Sequence, residues 1–274
     1  ALSCLSFLLV TACDRSVPTD TPSVLTPSAI MLDGTTGGNP HFFFLAPLAP
    51  TPSFSGTFNP DLTPTVEVCT DTSQDAQGHC TTLLVKFDRF TPVSGQIVRV
   101  LESDQSYGVD WVAKNYPIAL NTPFRVVVMI GDVQLGFIDL LKTAAGYRNI
   151  AENDLVNRTG VLRIRFRIED GALCSSSTEC FEGTVGPSGG IFTIAKGDGT
   201  VPAGTEFPAG ALSTPVTLVI ERITGACLPT DVPQYQGCYR FRTEPELASF
   251  ALPVTVGVCM LDIAGEPFFN DGQL

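Results

Sequence analysis

The stretch "LRIRFRI", residues 162–168, alternates arginine with large apolar side chains at every second position. Successive side chains of a β-strand point to opposite faces of its sheet. The run therefore predicts a strand with its apolar residues on a buried face and its arginines on a face that meets water. Such alternation is typical of antiparallel sheets, in which one face packs on a core and the other is solvated.

Similar strand-forming runs lie on both sides of this stretch. The runs before it are "TVEVC", "TLLVKF", "QIVRVL", "YGVDWVA", "PFRVVVMI" and "VQLGFIDLL", and the runs after it are "GIFTI", "VTLVIERI", "CYRFRTE" and "PVTVGVCML". Short strands separated by turn residues are typical of β-sandwiches. We therefore predict an all-β fold with two antiparallel β-sandwich domains, the first of them Ig-like. A short helix within residues 140–153 is the one helical element that the sequence allows.

Changes in composition along the chain predict its organisation. Residues 14–57 are rich in Pro, Ser and Thr and show neither strand nor helix period, which indicates an extended arm. The predicted parts, in order, are an apolar segment (1–13), this arm (14–57), the Ig-like sandwich (58–170), a disulfide-clipped linker (171–180), a second β domain (181–264) and a tail (265–274).

The charge and the motif content exclude several functional classes. The net charge is −12, whereas binding to nucleic acid needs clustered Lys and Arg, so no nucleic-acid partner is expected. The chain has only two histidines, His41 and His79, and no nucleophile, metalloprotease or phosphate-binding motif. Asp71 and Asp75 could flank a Ca²⁺ ion, but they lack the spacing of an EF-hand. We expect no catalytic activity, no cofactor and no metal site.

Nine cysteines are unusual for a cytosolic chain of 274 residues. Their spacing does not match a zinc site, so disulfides and an oxidising compartment are favoured. An alternative pairing of Cys69 with Cys259 would leave Cys80 without a partner. The three predicted disulfides join Cys69 to Cys80, Cys174 to Cys180 and Cys227 to Cys238.

The N-terminal run "ALSCLSFLLVTAC" contains thirteen uncharged residues, a length that suits the apolar part of an export signal. Its end resembles the lipobox of bacterial lipoproteins, which implies that Cys13 carries lipid. Either the segment is a simple signal peptide, or it is a retained or lipidated anchor. We expect an anchored protein of the bacterial cell envelope, on the periplasmic face of a membrane.

Residues from about 185 to 260 resemble the ZU5 domain, a family of β modules used in assembly. The resemblance lies in a Gly-Gly start, a Pro-x-Gly-Ala-Leu turn, an aromatic strand and two Pro-Val segments. It implies a sandwich-like domain that has a scaffolding role and no catalysis. The matching positions are Gly189, Gly190, Pro208, Gly210, Ala211, Leu212, Pro215, Tyr239, Phe241, Phe250, Pro253 and Val254.

The arm contains "NPHFFFLAPLAP", residues 39–50, with three consecutive phenylalanines. Burial of each ring would stabilise a docked state by about 1.5–3 kcal/mol, so the run predicts an anchoring point. It could fold back on the first sandwich as an edge strand, or it could insert into a groove of a partner protein. The predicted partner-docking residues are His41, Phe42, Phe43, Phe44 and Leu45.

Together these features predict a membrane-tethered scaffold subunit that docks on other protein subunits of a bacterial membrane complex. A photosynthetic or respiratory assembly would fit. The alternative is a cell-envelope module that binds a glycan or protein ligand, or mediates adhesion. Trp111 is the only aromatic platform that we can name for a glycan, and its place in an alternating strand favours core packing instead.

Overall fold

The computed structural model describes residues 30–151, 155–157, 160–174, 179–196, 200–223, 238–258, 260–261 and 267–268. These residues form short strands, paired as antiparallel sheets, and 3₁₀ turns of three residues. The prediction of an all-β fold is confirmed. Within the described ranges, no helix has the length and apolar character needed to cross a membrane.

Two sheets pack face to face in residues 30–174, which we call the first sandwich. One has the strand order β10-β9-β8-β7-β3-β4, with β1 beside β8, and the other has the order β2-β11-β6-β5. The strands are β1 (Met31–Leu32), β2 (Phe42–Phe44), β3 (Thr65–Cys69), β4 (Leu83–Phe87), β5 (Arg99–Leu101), β6 (Ser106–Trp111), β7 (Pro123–Ile130), β8 (Val133–Thr143), β9 (Gly146–Asn149), β10 (Leu155–Asn157) and β11 (Leu162–Ile168). The 3₁₀ turns are Glu102–Asp104, Ala113–Asn115 and Ala172–Cys174.

The alternating stretch forms β11, which lies between β2 and β6 in the smaller sheet. Its apolar residues Ile164 and Phe166 are fully buried between the two sheets. Arg163 is exposed and Arg165 is half-buried, both on the opposite face. The predicted division of β11 is therefore confirmed for its apolar residues, Arg163 and Arg165, whereas Arg167 is buried at 4% exposure.

Aromatic side chains fill the centre of the first sandwich. The ring of Tyr107 stacks on that of Phe166 at 5.7 Å, and its hydroxyl donates a 2.7 Å hydrogen bond to the carbonyl of Asn59. Trp111 is fully buried and packs against Phe124. The prediction that Trp111 packs in the core is confirmed, and this side chain cannot serve as an exposed platform for a sugar.

The described part of the predicted arm belongs to the first sandwich. β1 pairs with β8, and β2 pairs with β11, so residues 30–57 supply a strand to each sheet. The boundary predicted at residue 58 therefore lies too far along the chain. The composition of the arm did not reveal this, because two- and three-residue strands are too short to show a period. Residues 1–29 lie outside the described residues.

The short helix expected within residues 140–153 is absent from its described part. Residues 140–149 instead form the end of β8, a turn and β9. Leu140 and Tyr147 are buried on the core side of the sheet, and Gly146 has a positive φ of 128°. A glycine with positive φ suits a tight turn, so the tertiary packing of two strands prevails over local helix propensity.

Residues 180–258 form the second sandwich, from two three-stranded sheets with the orders β12-β15-β16 and β13-β14-β17. Its core includes Val185, Phe207 and Leu218. A further pair, β18 with β19, follows it. The strands are β12 (Cys180–Val185), β13 (Gly190–Ile194), β14 (Ala203–Phe207), β15 (Val216–Ile223), β16 (Cys238–Glu244), β17 (Thr255–Val258), β18 (Met260–Leu261) and β19 (Pro267–Phe268).

The two sandwiches meet at one face of the sheet β12-β15-β16. Val219 of β15 is fully buried and belongs to the core of the first sandwich. The backbone N–H of Leu173 donates a 2.8 Å hydrogen bond to the carboxylate of Glu182 on β12. The disulfide between Cys174 and Cys180 joins the two bodies covalently at the same place.

Candidate interaction surface

The run predicted to dock on a partner lies inside the first sandwich. β2 pairs with β11 so that Phe44 lies opposite Phe166 and Phe42 opposite Ile168. Phe42 and Phe44 are 0% exposed, and their rings meet edge to face at 5.0 Å. These rings have no surface left for a partner, so the fold-back alternative describes the run. The docking prediction is corrected for the buried residues Phe42, Phe43, Phe44 and Leu45, and for the half-buried His41 it stays a prediction.

The middle phenylalanine of the run, Phe43, points to the outer face of the smaller sheet. It is covered by Phe54, whose ring lies 5.6 Å away. The guanidinium of Arg167 lies over the same Phe54 ring at 4.6 Å and forms a 3.0 Å ion pair with Glu169. The chain after β2 thus folds back over the sheet that β2 has joined, and it shields part of the outer face from water.

Two of the predicted disulfides are confirmed. Cys69 bonds to Cys80 and Cys174 bonds to Cys180, with Cα–Cα distances of 5.2 and 5.5 Å. Cys238 is disulfide-bonded as well. The remaining cysteines named by the sequence analysis, Cys13, Cys227 and Cys259, lie outside the described residues.

The loop closed by the Cys69–Cys80 disulfide covers a buried carboxylate. Glu67 of β3 accepts hydrogen bonds from His79, at 3.0 Å, and from the backbone N–H of Cys80, at 3.2 Å. It also forms a 3.1 Å ion pair with Lys86. Burial alone would raise the pKa of Glu67, but these donors together hold it below its ordinary value. The network fixes the loop on the sheet.

His79 has a structural place in this network. Its Nδ1 faces Glu67 at 3.0 Å, and its Nε2 faces the exposed carboxylate of Asp132 at 3.7 Å. Since both ring nitrogens face carboxylates, neither is directed at a hydroxyl or thiol that it could activate. His79 therefore holds the loop against the sheet through its contacts with Glu67 and Asp132.

The two aspartates considered for Ca²⁺ cap backbone turns. Asp71 accepts a hydrogen bond from the N–H of Ser73, and Asp75 accepts hydrogen bonds from the N–H groups of Gln77 and His79. Such side-chain contacts two residues along the chain are typical of Asx turns. No cluster of three His, Cys, Asp or Glu side chains with metal-binding spacing occurs among the residues that the structure describes.

The junction between the sandwiches holds two buried carboxylates with perturbed titration. Burial raises the pKa of Glu182, although its hydrogen bond from Leu173 opposes the shift. Burial likewise raises the pKa of Glu244 to about 7, with Arg242 lowering it and Glu246 raising it. Neutral carboxyl groups are favoured at this junction because water cannot solvate their charge.

Exposed apolar side chains of the second sandwich lie on β17 and on the segment just before it. Phe250 is 39% exposed, Leu252 is 42% exposed and Val256 is 46% exposed. Apolar side chains occupy every second position from 250 to 258, so they repeat with the period of a strand. We call these five residues, Phe250, Leu252, Val254, Val256 and Val258, the β17 edge.

Both faces and the free side of β17 are open. In the part of the chain that the structure describes, β17 pairs with β14 and with no strand on its other side. A Cβ atom added at Gly257 would meet no atom within 4 Å. The free backbone N–H and C=O groups of such an edge form a template for another strand.

Charged residues lie in three other edge strands but not in β17. The edge strand β4 contains Lys86, β5 contains Arg99, and β16 contains Arg240 and Arg242. Lysine, arginine and proline within an edge strand discourage pairing with a foreign strand. β17, "TVGV", contains none of them. Its uncharged backbone edge, together with the exposed Phe250 and Leu252 just before it, makes it our candidate interaction surface.

Sequence analysis identified the strand but missed its exposure. Its last run, "PVTVGVCML", contains β17, and the resemblance to ZU5 domains named Phe250 and Val254. The absence of charge from 247 to 260 was the available signal, because a half-exposed strand ordinarily alternates apolar with polar residues. The same pattern suits a strand buried on both faces, so the sequence alone could not separate the two.

Comparison of the chain with models of known protein families, with curated proteins and with solved structures finds no match.

Proposed function

We propose that this chain is a non-catalytic, membrane-tethered structural subunit that docks on a larger bacterial membrane protein complex on its periplasmic side. The observation that carries the proposal is the β17 edge, whose strand is uncharged and has described pairing on one side only. The proposed host is a membrane assembly such as a photosynthetic or respiratory complex.

The proposed compartment rests on the disulfides and on the N-terminal sequence. Disulfides persist in oxidising compartments such as the bacterial periplasm. Two of them close loops in the first sandwich and at the junction. The apolar run that ends at Cys13 would supply the tether, through lipid or through a retained anchor. These two features together favour the periplasmic face of a membrane.

The proposed docking mode is the addition of a partner strand to β17. Main-chain hydrogen bonds to the open edge would give affinity, and side chains at alternate positions would give specificity. Val256 and Val258 would pack against apolar residues of the partner. Glu206 lies opposite Thr255 on the other face, and basic residues of the partner would suit it. The partner strand is therefore expected to be apolar on one face and basic on the other.

The proposed ZU5-like character of the second sandwich agrees with a scaffolding role. The Pro-x-Gly-Ala-Leu segment forms a turn after β14, in which Gly210 has a φ of 85° and Ala211 and Leu212 are buried. Gly189 precedes β13 and Gly190 is its first residue, and both have positive φ. Glycines are the residues of choice at such positions, so the motif has a structural reason in this chain.

The proposal is tested by placing a charge on the edge. Val256→Lys should prevent strand addition, because a lysine within an edge strand opposes pairing with a second strand. Leu83→Lys is the matched control, since Leu83 is 49% exposed on the edge strand β4. The measurement is migration of the tagged full chain on native gels of gently solubilised membranes from the source bacterium.

We expect the wild type and Leu83→Lys to migrate with a large complex, and Val256→Lys to migrate as a monomer. A wild-type chain that migrates alone would overturn the docking proposal. If Val256→Lys remained in the complex, docking would use another surface, and the role proposed for the β17 edge would be wrong.

A further inference from the structure

A groove on the first sandwich lies far in sequence from the β17 edge and has a different chemistry. It opens on the outer face of the smaller sheet, where β5, β6 and β11 run side by side, and its volume is about 110 Å³. This volume corresponds to roughly four molecules of liquid water, enough for a carboxylate and part of a ring. The lining residues are Gln96, Ile97, Arg99, Leu101, Gly108, Asp110 and Arg165.

One wall of the groove is a fixed ion pair. Arg165 on β11 reaches Asp110 on β6 at 2.7 Å. Its other terminal nitrogen donates hydrogen bonds to the carbonyls of Val109 and Ile164, at 3.3 and 3.1 Å. The guanidinium is therefore held in place before any ligand arrives, and preorganised polar groups bind with a smaller entropic cost.

The floor of the groove depends on a glycine. Gly108 lies between Arg99 of β5 and Arg165 of β11 in the register of the sheet. A Cβ atom at Gly108 would lie 2.6 Å from both Cδ and Nη1 of Arg165, closer than two such atoms can approach. The glycine thus allows the arginine side chain to lie flat across the strand, and it leaves open space above the backbone.

The opposite wall contains an arginine without a counter-charge. Arg99 is exposed, and within the described residues it forms no ion pair with a carboxylate. The guanidinium groups of Arg125, Arg165 and Arg167 all have carboxylate partners. An unneutralised guanidinium beside a preformed groove is a ready site for an anion, and its planar fork matches a carboxylate.

We propose that this groove binds a sugar acid, a carboxylate with neighbouring hydroxyl groups. Arg99 would pair with the carboxylate, and the free oxygen of Asp110, which is half-exposed, would accept a hydrogen bond from a hydroxyl. Ile97 and Leu101 supply apolar contacts for the carbon atoms of the ring. An anion without hydroxyl groups would leave the second oxygen of Asp110 without a hydrogen-bond donor, so the aspartate favours a sugar acid over simple anions.

The inference goes beyond the docking function and does not depend on it. The test is calorimetric titration of the purified, oxidised full chain with D-glucuronate, D-glucose and acetate. We expect a dissociation constant on the order of 1 mM for D-glucuronate, and binding at least tenfold weaker for the other two. The same titration with an oligosaccharide that ends in glucuronate distinguishes two sources of the ligand. Binding at least as tight as that of D-glucuronate indicates a glycan, and weaker binding indicates a free sugar acid.

Matched variants locate the site. Arg99→Gln should weaken D-glucuronate binding at least tenfold, whereas Arg163→Gln, an exposed arginine of the same face outside the groove, should change it less than twofold. Absence of D-glucuronate binding to the wild type would overturn the proposal. Equal binding of acetate would reduce the site to a general anion site, and equal losses in the two variants would place the binding elsewhere.

Discussion

The sequences "TVEVC", residues 65–69, and "TVGVC", residues 255–259, differ at one position, yet they occupy opposite environments. The first forms β3, which has a strand on each side, and its Val66 and Val68 are fully buried. The second contains β17, which has a described strand on one side only, and its Val256 is 46% exposed. A local pattern of this kind specifies a strand, whereas the position in the sheet decides burial.

The middle residues of the two stretches show the same contrast. Glu67 is covered by the loop of the Cys69–Cys80 disulfide and is hydrogen-bonded to His79 and Lys86. Gly257 faces open space. The largest fully buried side chains of the described residues all belong to the first sandwich. The largest buried side chains thus stabilise the first sandwich, whereas β17 of the second sandwich leaves Val256 exposed.

The largest effect is expected from a charge placed at equivalent positions of the two stretches. Val66→Asp should destabilise the first sandwich by more than about 4 kcal/mol, because a carboxylate would be buried without a partner. Val256→Asp should change the stability by less than about 0.5 kcal/mol, since the side chain can reach water. Urea unfolding followed by the fluorescence of Trp111 and by circular dichroism measures both. Similar losses in the two variants would show that Val256 is not open to solvent.

A smaller contrast is expected between two phenylalanines. Phe42→Ala should lower the free energy of unfolding by about 3–5 kcal/mol, because it leaves a cavity in a dry core. Phe250→Ala should cost less than about 1.5 kcal/mol, since the ring of Phe250 is partly in water and contacts Phe207 from one side. Urea unfolding of both variants checks this order. If Phe42→Ala left the free energy of unfolding unchanged, the ring would not be part of the core, and the phenylalanine run could again be considered a partner-docking segment.

Removal of the Cys69–Cys80 disulfide should also weaken the first sandwich. The double variant Cys69→Ala with Cys80→Ala frees a loop with a sequence separation of 11, which corresponds to about 3 kcal/mol in the chain-entropy estimate. The network around Glu67 should loosen as well. The measurement is the urea midpoint of the variant against the oxidised wild type, with the Cys174–Cys180 disulfide intact. An unchanged midpoint would mean that the loop is ordered without its disulfide.

The smallest expected effect is a pH dependence of stability that arises from Glu244 at the junction between the two sandwiches. The pKa of Glu244 is raised from 4.5 to about 7, so its ionisation opposes folding. The stabilising effect of the neutral carboxyl is complete below pH 4.5 and is lost as the pH rises through 7. Glu244→Gln should therefore stabilise the protein by roughly 1–3 kcal/mol at pH 8 and should have little effect at pH 4.5. Thermal melts of the wild type and Glu244→Gln at pH 8 and pH 4.5 measure this change in stability. Equal changes at the two pH values would show that Glu244 does not titrate between them.

Some of these features could be predicted from the sequence and others could not. The period-2 pattern of "LRIRFRI" specified the faces of β11, and the spacing of Cys69 and Cys80 specified their disulfide. The place of Phe42–Phe44 depends on pairing with β11, more than 100 residues further along the chain, which no local pattern encodes. The turn at Gly146 was hidden by residues that also suit a helix.

The candidate sites show the same limit. The wet face of β11 predicted exposed arginines, but the groove also needs Gly108 of β6 and Arg99 of β5 in register. The β17 edge was recognised as a strand from its valines. Its exposure follows from the number of strands beside it, and this number is a property of the assembled sheet.

The most direct test of the β17 edge is hydrogen–deuterium exchange of its backbone in two states. Exchange is measured for residues 255–258 in the isolated chain and in the native membrane complex, with β4 as the internal reference. We expect exchange of β17 to slow at least tenfold in the complex, because a partner strand would hydrogen-bond its free N–H groups, while β4 remains unchanged. Equal exchange of β17 in the two states would contradict docking through this edge.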